Sequence, residues 1–323
     1  MNADANRNTT SISSSTNSDA VDGEASSPVA AVPRKQLQHD SASFLRENVK
    51  AEINKQVVRH KLAKLRHLVI PQAINAAYLD SLFPDLLQSF DPQTVTYNGG
   101  VANVTNWKIS CYLEVMEGGI PCTTPNETLL ELFRPVLNTC NDLFLHWYRQ
   151  QHACNARARR WTSSVAENAP SMQSCYRLMT FVTRYTPNPG EQALLKHVDG
   201  AGKVDGSVVL ALPIDKWSAP EEVNTFVGGG LTFWDGKNNA NSTQDASTQP
   251  REIHYDTRSG DLAFIDRSDE TARKRYLSPT SQGFNTVVCF SDSLSMIRRA
   301  VWHQADPITK GTRWALVIFY KVL

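Results

Sequence analysis

The sequence predicts an α+β fold in which a helical first half supports a closed or double-sheet β core. Apolar residues recur at helical spacing through much of the first half of the chain. From about Ser174, short runs of β-branched and aromatic residues follow one another, separated by Gly, Pro, Asn and Asp. Helices segregated from strands are typical of α+β folds, and many short strands are typical of sandwiches and barrels. We therefore expect helical support over residues 66–170 and a β core over residues 171–323.

Residues 1–40 have the composition of a disordered tail. They are rich in Ser, Thr, Asn, Ala and Asp, and they show no large apolar periodicity. Such a segment cannot bury enough surface to offset the entropy lost when a chain is ordered.

Residues 41–65 are expected to form a basic amphipathic helix. Apolar residues at helical spacing begin with Leu45 and Val49, and the opposite face is rich in Lys and Arg. Glu47 and Glu52 dilute that charge, so we interpret the basic face as solvated, with a patch for an acidic partner as the alternative.

A short strand and a helix are expected next. His67–Ile70 is a strand candidate that Pro71 ends. Helical spacing resumes over Ile74–Phe90, and a break is expected at Pro84 because proline removes a helix hydrogen bond.

A further helix is expected to start near residue 124. Thr124 can cap it, Pro125 suits its first turn and Glu127 can close a capping box. A wide apolar stripe then runs from Leu129 to Trp147, so this helix should lie against a sheet.

The second half contains several strand candidates bounded by turn signals. They are Tyr176 to Tyr185, Val204 to Pro213, Gly230 to Trp234, Gly260 to Ile265, Thr286 to Phe290 and Arg313 to Val322. The polar segment Asn238 to Pro250 is expected to be a loop.

The bulk properties exclude several classes of protein. The chain has 323 residues and a formal net charge of +1, so no nucleic acid or membrane partner is indicated. No apolar run is long enough for a transmembrane helix, and the first residues lack the apolar core of a secretion signal, so we expect a cytoplasmic or nuclear protein. The six cysteines form no Cys-x-x-Cys pair and are expected to be free thiols: Cys111, Cys122, Cys140, Cys154, Cys175 and Cys289.

His197 and Asp199 form the first half of a candidate metal site. Residues two apart on a strand point to the same face, so both side chains can bind one metal while Val198 points away. Two imidazoles and one carboxylate suit Fe(II) and leave three coordination positions open.

His303 and Arg313 supply the second half. His303 is expected to reach the first pair from a distant strand, and Arg313 follows it by ten residues, after a turn at Lys310-Gly311. A guanidinium suits bidentate pairing with a carboxylate, and the apolar strand that follows argues against a surface arginine. The other histidines are interpreted as surface or core residues: His39, His60, His67, His146, His152 and His254.

The glycine run 228–230 has two interpretations. A glycine-rich run can cradle phosphate, but that requires a helix directly after it. Leu231-Thr232-Phe233-Trp234 is strand-like, so a tight turn into a strand is favoured.

The order of the motifs along the chain resembles that of the Fe(II)/2-oxoglutarate-dependent dioxygenases, specifically the prolyl 4-hydroxylase-like branch. The matching residues are Arg184-Tyr185, His197-Val198-Asp199, Gly229-Gly230-Leu231-Thr232-Phe233, Gly260-Asp261-Leu262-Ala263-Phe264, and His303 with Pro307, Gly311 and Arg313. The resemblance covers residues 66–323 and is specific from Tyr176 onward.

The resemblance implies a double-stranded β-helix, or jelly roll, with supporting N-terminal helices. It implies that His197, Asp199 and His303 bind Fe(II), that Arg313 binds the far carboxylate of 2-oxoglutarate, and that Tyr185 hydrogen-bonds this co-substrate. O2 would be the second co-substrate, 2-oxoglutarate would be converted to succinate, and ascorbate would act as reductant.

The sequence departs from the family pattern at three places that bear on the substrate. Leu194 and Leu195 stand where the family often has an aromatic residue, and the strand Val208 to Pro213 lacks a frequent tyrosine. Residues 267–285 appear as an insertion that carries Arg273, Lys274 and Arg275, which we interpret as solvated.

These features leave more than one functional hypothesis. The first is a hydroxylase of a prolyl or other side chain in a protein or peptide, with a small-molecule hydroxylase as its alternative within the superfamily. The second is a non-catalytic jelly-roll binding protein, which the intact ligand set disfavours. A nucleic-acid hydroxylase or demethylase is a third hypothesis, motivated only by the basic helix. The sequence does not specify the oligomeric state.

Overall fold

The part of the chain that the computed structural model describes contains three α-helices and fourteen β-strands. The described residues are 44–63, 65–97, 106–117, 120–121, 124–159, 174–199, 204–213, 226–235, 251–267 and 301–323. The predicted tail over 1–40, the predicted strand Thr286 to Phe290 and most of the predicted insertion 267–285 lie outside them.

The first helix is shorter than the sequence predicts. α1 spans Val49–Leu62 rather than residues 41–65, and it buries Val49, Ile53 and Val57. Leu45 is instead paired with Ile74 in an isolated β-bridge. At the other end, Leu62 is 83% exposed, so the apolar repeat extends beyond the face that is packed.

The next two helices correct two details of the prediction. α2 spans Ala76–Ser89 and continues through Pro84 without the expected break, because Phe83 and Leu86 on either side are buried and hold the helix in place. α3 spans Glu127–Arg159, and its cap is Asn126, whose Oδ1 accepts a hydrogen bond from the Leu129 amide at 3.0 Å. Thr124 is therefore not the cap. None of the described helices is long and apolar enough to cross a membrane.

The strands form two main antiparallel sheets. The large sheet has eight strands: β1 (His67–Ile70), β2 (Gln93–Tyr97), β3 (Asn106–Glu117), β4 (Ile120–Pro121), β5 (Cys175–Tyr185), β7 (Gly206–Ala211), β11 (Leu262–Asp266) and β14 (Arg313–Val322). The small sheet has four: β6 (Leu194–His197), β9 (Leu231–Asp235), β10 (Arg251–Tyr255) and β12 (Trp302–Ala305). A separate ribbon pairs β8 (Val227–Gly228) with β13 (Ile308–Lys310). The predicted combination of helices with β-sheets is confirmed, the sheets are antiparallel, and β10 is a strand that was not predicted.

The strand order shows that the chain alternates between the two sheets. The large sheet runs β1-β11-β7-β14-β5-β3-β2, with β4 paired to β3, and the small sheet runs β10-β9-β12-β6. Following the chain, β5 lies in the large sheet, β6 in the small sheet, β7 in the large sheet, β9 and β10 in the small sheet, β11 in the large, β12 in the small and β14 in the large.

The two faces of the large sheet bury different clusters, as the alternation of side chains along a strand requires. On one face, the predicted packing of α3 against a sheet is confirmed, because Phe144 stacks on Tyr320 with ring centroids 4.2 Å apart. On the other face, residues of the large sheet such as Val69 and Ile265 share a second buried cluster with Leu231 and Phe233 of the small sheet. The candidate site lies beside this second cluster.

Candidate metal and carboxylate site

His197 and His303 face each other across two paired strands of the small sheet. β6 ends at His197, and β12 carries His303 directly opposite it in antiparallel register. Residues opposite each other in such a pair point to the same side of the sheet, and the two ring centroids are 4.4 Å apart. Strand pairing thus brings together two imidazoles that are distant in sequence.

Asp199 completes the cluster from just beyond the end of β6. Its Oδ1 atom lies 3.5 Å from the Nε2 atom of His197 and 3.5 Å from the Nε2 atom of His303. We expected His197 and Asp199 to lie together on a strand; the side chains do converge, but the strand ends at His197. Among the described residues, this is the one group of three or more His, Cys, Asp or Glu whose candidate ligand atoms lie close enough to hold a metal, within 4.8 Å of one another.

Each histidine is oriented through its other ring nitrogen. The Nδ1 atom of His197 lies 2.8 Å from the carbonyl oxygen of Leu195, and the Nδ1 atom of His303 lies 3.2 Å from that of Val301. A carbonyl only accepts, so each Nδ1 donates and each Nε2 is the atom available to a metal. Metal-binding histidines are oriented by such bonds, and two imidazoles with one carboxylate fit Fe(II).

The three groups shift one another's pKa in the directions expected of a close triad. Burial raises the pKa of Asp199, but His303 and His197 outweigh burial and hold it well below its usual range. Burial lowers the pKa of His303, but Asp199 outweighs burial and raises it. Burial and the neighbouring His303 lower the pKa of His197. The Asp199 carboxylate is therefore ionised. A cation is needed beside it, and this cation is either a protonated imidazole or a metal ion.

Arg313 is a buried cation with unused hydrogen-bonding capacity. It begins β14 and is 2% exposed, and neither its Nε nor its Nη1 atom has a hydrogen-bond partner. Its guanidinium carbon lies 5.4 Å from the ring centroid of Tyr185, which is opposite it on β5. Burial lowers the pKa of Arg313. Because an uncompensated buried charge is costly, this position favours a carboxylate ligand.

Tyr185 is buried and is influenced by both charged parts of the site. Burial raises the pKa of Tyr185, while Arg313 lowers it and Asp199 raises it further. Since both residues act on the same phenol, Arg313 and the triad belong to one region of the molecule. The role of Tyr185 toward a co-substrate stays a prediction.

Asp306 is a nearby carboxylate whose charge acts on Arg313, but its oxygens are occupied elsewhere. Thr232 Oγ1 donates to Asp306 Oδ2 at 2.7 Å, His254 Nδ1 lies 2.9 Å from the same oxygen, and Gln304 Nε2 donates to Oδ1 at 2.7 Å. Asp306 therefore acts on Arg313 through its charge and not through a hydrogen bond to Nε or Nη1, and these two nitrogens remain able to bind an external anion.

The glycine run leads into a strand, as the sequence analysis favoured, and not into a helix. Gly229 and Gly230 directly precede β9, with φ angles of +76° and +106°. A Cβ atom on Gly229 would lie 3.0 Å from Ile308 Cγ2 and 3.3 Å from Arg313 Cδ. Gly229 therefore gives Arg313 the room to lie where it does, and the alternative of a phosphate cradle lacks its helix.

Two residues that hold Asp199 were missed by the sequence analysis. Ser207 on β7 is fully buried and donates a hydrogen bond from Oγ to Asp199 Oδ2. Arg267, just after β11, donates from Nε to the backbone oxygen of Asp199 at 2.7 Å. The lone serine in an apolar strand was the only available sequence signal, since both contacts depend on how the two sheets pack against each other.

Aromatic residues pack behind the triad. The ring of Phe233 lies 6.0 Å from that of His303 and 4.0 Å from that of His67, measured between centroids. His67 Nε2 is 3.1 Å from the Tyr255 hydroxyl oxygen, which agrees with its interpretation as a core residue. Arg273, Lys274 and Arg275 lie outside the described residues.

No protein-family model matches the sequence, and no curated protein matches it. Among solved structures, the chain is similar to a 2OG-Fe(II) oxygenase family oxidoreductase from Burkholderia pseudomallei, with 14% identity, a TM-score of 0.47, and coverage of 86% of this chain and 92% of that chain. It is also similar to a prolyl-4-hydroxylase from Pseudomonas putida, with 12% identity, a TM-score of 0.43, and coverage of 83% and 99%. A third is a prolyl hydroxylase from Trichoplax adhaerens in complex with a hypoxia inducible factor peptide fragment, with 12% identity, a TM-score of 0.44, and coverage of 84% and 90%.

Proposed function

We propose that this protein is an Fe(II)- and 2-oxoglutarate-dependent dioxygenase with a jelly-roll core. One observation carries the proposal: the ligand atoms of His197, Asp199 and His303 converge, and a buried arginine with unpartnered nitrogens, Arg313, lies in the same region. The jelly roll is supported by the alternation of the chain between two antiparallel sheets that share a buried cluster.

In this proposal, His197 and His303 bind Fe(II) through Nε2 and Asp199 binds it through Oδ1. When bound, the iron supplies the redox chemistry that converts 2-oxoglutarate and O2 to succinate and CO2 while one oxygen atom enters a C–H bond of the substrate. The backbone carbonyls of Leu195 and Val301 keep both imidazoles in the orientation that metal binding needs.

The remaining roles belong to the co-substrate pocket. Arg313 binds the far carboxylate of 2-oxoglutarate, which relieves the cost of its burial. Tyr185, opposite it on β5, donates a hydrogen bond from its phenol to the co-substrate. Buried apolar residues such as Val69 and Ile265 limit the access of water to this region.

The proposed substrate is a prolyl or other side chain of a protein or peptide. The order and spacing of the sequence motifs, from Tyr185 to Arg313, support this choice because they resemble the prolyl 4-hydroxylase-like branch. A small molecule is the alternative substrate. A screen of proline-containing peptides for the mass gain of one oxygen atom, dependent on 2-oxoglutarate, separates the two classes.

The first test of the function needs no substrate. Purified protein is given Fe(II), 2-oxoglutarate and ascorbate, and succinate formation is measured together with the binding of 2-oxoglutarate to the metal-loaded protein. Wild type is expected to bind 2-oxoglutarate in an Fe(II)-dependent manner and to form succinate slowly. His303→Ala is expected to lose metal binding, and Arg313→Ala is expected to keep the metal but bind 2-oxoglutarate more weakly.

His146→Ala is the matched control. This histidine lies on α3, where its Nε2 atom is 2.9 Å from Asn54 Oδ1, and it is not part of the triad. It should behave as wild type in every assay. If wild type shows neither succinate formation nor Fe(II)-dependent binding of 2-oxoglutarate, the enzyme is excluded and a non-catalytic binding protein remains.

A further inference from the structure

Asp199 lies beyond the end of strand β6, which carries the neighbouring candidate ligand His197. β6 ends at His197, two residues earlier, so ladder hydrogen bonds hold the histidine but not the aspartate. Besides its contacts with the two histidines, Asp199 is held by two residues of the large-sheet segments. Ser207 on β7 donates to its Oδ2 atom, and Arg267, which follows β11, donates to its backbone oxygen at 2.7 Å.

We propose that Ser207 and Arg267 are positioning residues that make Asp199 bind the metal through one oxygen only. This inference rests on the proposed function. In this inference, Ser207 keeps the Oδ2 atom of Asp199 away from the metal. The coordination position that Oδ2 would otherwise occupy then stays open to the co-substrate.

The two carboxylate oxygens of Asp199 have different partners, and this difference supports the inference. Oδ1 lies 3.5 Å from both imidazole Nε2 atoms, whereas Oδ2 accepts the hydrogen bond from Ser207. Two imidazoles and one single-oxygen carboxylate leave three positions of an octahedral ion open. A carboxylate bound through both oxygens would leave two, too few for a chelating 2-oxoglutarate together with O2.

The positions of the two residues make the restraint firm. Ser207 is fully buried and lies between Ile265 on β11 and Phe319 on β14, so its hydroxyl has a fixed location. Arg267 is 9% exposed, and its own amide donates to the Asp205 carbonyl at 3.0 Å. With its backbone oxygen held by Arg267 and its Oδ2 atom held by Ser207, Asp199 has little freedom to turn.

The test compares Ser207→Ala with Ser207→Thr, which retains a hydroxyl. Ser110→Ala is the matched control, because Ser110 is also buried in a strand of the large sheet but its Oγ atom has no hydrogen-bond partner. Three quantities are measured without turnover: the affinity for Mn(II), the affinity of the Mn(II)-loaded protein for 2-oxoglutarate, and the visible absorption spectrum of the Co(II)-loaded protein.

Ser207→Ala is expected to bind Mn(II) within about tenfold of wild type but to bind 2-oxoglutarate about 10–100-fold more weakly. Its Co(II) spectrum should change, since the number of ligand oxygens changes. Ser207→Thr should restore the affinity for 2-oxoglutarate, and Ser110→Ala should match wild type throughout.

Three results would overturn the inference, and one of them would also overturn the proposed function. Wild-type affinity for 2-oxoglutarate in Ser207→Ala shows that Oδ2 needs no restraint. Complete loss of Mn(II) binding in Ser207→Ala, with the protein still folded by circular dichroism, shows that the serine supports the ligand itself and not its mode of binding. If the wild-type protein binds neither Mn(II) nor Fe(II), the metal site itself is wrong, and the inference falls with it.

Discussion

Within the proposed function, replacing Arg313 by methionine is expected to stabilise the ligand-free protein and to weaken the binding of 2-oxoglutarate strongly. Both effects come from one feature: the guanidinium is buried, and its Nε and Nη1 atoms have no hydrogen-bond partner in the ligand-free protein. Methionine has a similar length and no charge, so it fills the space without the cost of burying a cation.

The expected gain in stability follows from comparable buried charges. Replacing a buried ion pair or triad by apolar side chains of similar volume is often neutral or stabilises the protein by about 1–4 kcal/mol. The contact of the guanidinium with the Tyr185 ring, at 5.4 Å from its centroid, offsets about 1 kcal/mol of this. We therefore expect the free energy of unfolding of metal-free Arg313→Met to rise by up to about 3 kcal/mol.

The expected loss of affinity follows from the hydrogen bonds that the ligand would make. A guanidinium can donate two parallel hydrogen bonds to one carboxylate, each worth about 1.5–3 kcal/mol. Their removal corresponds to a loss of affinity of roughly a hundredfold or more. Arg313→Lys, which keeps the charge but not the planar fork, should fall between wild type and Arg313→Met.

Both effects are measurable on the same samples. Urea denaturation of the metal-free protein gives the stability, and calorimetric titration of the Mn(II)-loaded protein gives the affinity for 2-oxoglutarate. Arg184→Met is the control for the affinity and should bind 2-oxoglutarate as wild type does, because Arg184 is opposite Trp314 on the other face of the sheet, with its guanidinium carbon 5.8 Å from that ring's centroid. A metal-free Arg313→Met that is less stable than wild type, or that binds 2-oxoglutarate normally, would refute the reasoning.

Three further predictions concern separate parts of the molecule. Gly229→Ala should weaken 2-oxoglutarate binding more than Mn(II) binding in the same titrations, because the new Cβ atom would lie 3.3 Å from Arg313 Cδ in a backbone conformation with φ +76°. Glu114→Gln should destabilise the protein by about 1–2 kcal/mol at neutral pH. Burial raises the pKa of Glu114 but its bonds with Arg177 lower it on balance, so urea denaturation should show the difference from wild type shrinking as pH falls below the ordinary value of 4.5. Cys140 is buried and burial raises its pKa to about 12, so mass spectrometry should find it unmodified by iodoacetamide until the protein is unfolded.

The parts of the fold that follow from local periodicity could be predicted from the sequence. Strands β5, β7, β11 and β14 lie within or close to the predicted runs, and α3 packs through the predicted apolar stripe. In these segments the alternation of side chains and the local propensity favour the same structure, so tertiary contacts reinforce the pattern.

The prediction was wrong where distant contacts override a local signal. The signals for a cap at Thr124 were sound, but the nearby Asn126 takes that position, while its Nδ2 atom donates to the carbonyl of Ser89 at 2.9 Å. Pro84 lies inside α2 because the packing of Phe83 and Leu86 outweighs the missing hydrogen bond. Such contacts join segments far apart in the chain and leave no periodic trace in the sequence.

In the candidate site, too, some features follow from the sequence pattern and others only from contacts between distant segments. His197, Asp199, His303 and Arg313 could be singled out in the sequence because their order and spacing form a pattern, whereas their residue types alone would not distinguish them from the other histidines, aspartates and arginines. The contribution of Ser207 could not be predicted from the sequence, because a serine in an apolar strand acquires this role only when the packing of the two sheets brings it against the aspartate.

The location of the site between the two sheets explains why these roles fall to different parts of the chain. The histidines belong to the small sheet, whereas Ser207, Tyr185 and Arg313 belong to the large sheet. A ligand held from both sides keeps its position only if the sheets keep theirs, and the shared buried cluster that includes Val69 and Phe233 provides that rigidity. Within the proposed function, the metal and the co-substrate therefore bind to a preformed site, whose shape is fixed by strand pairing and sheet packing.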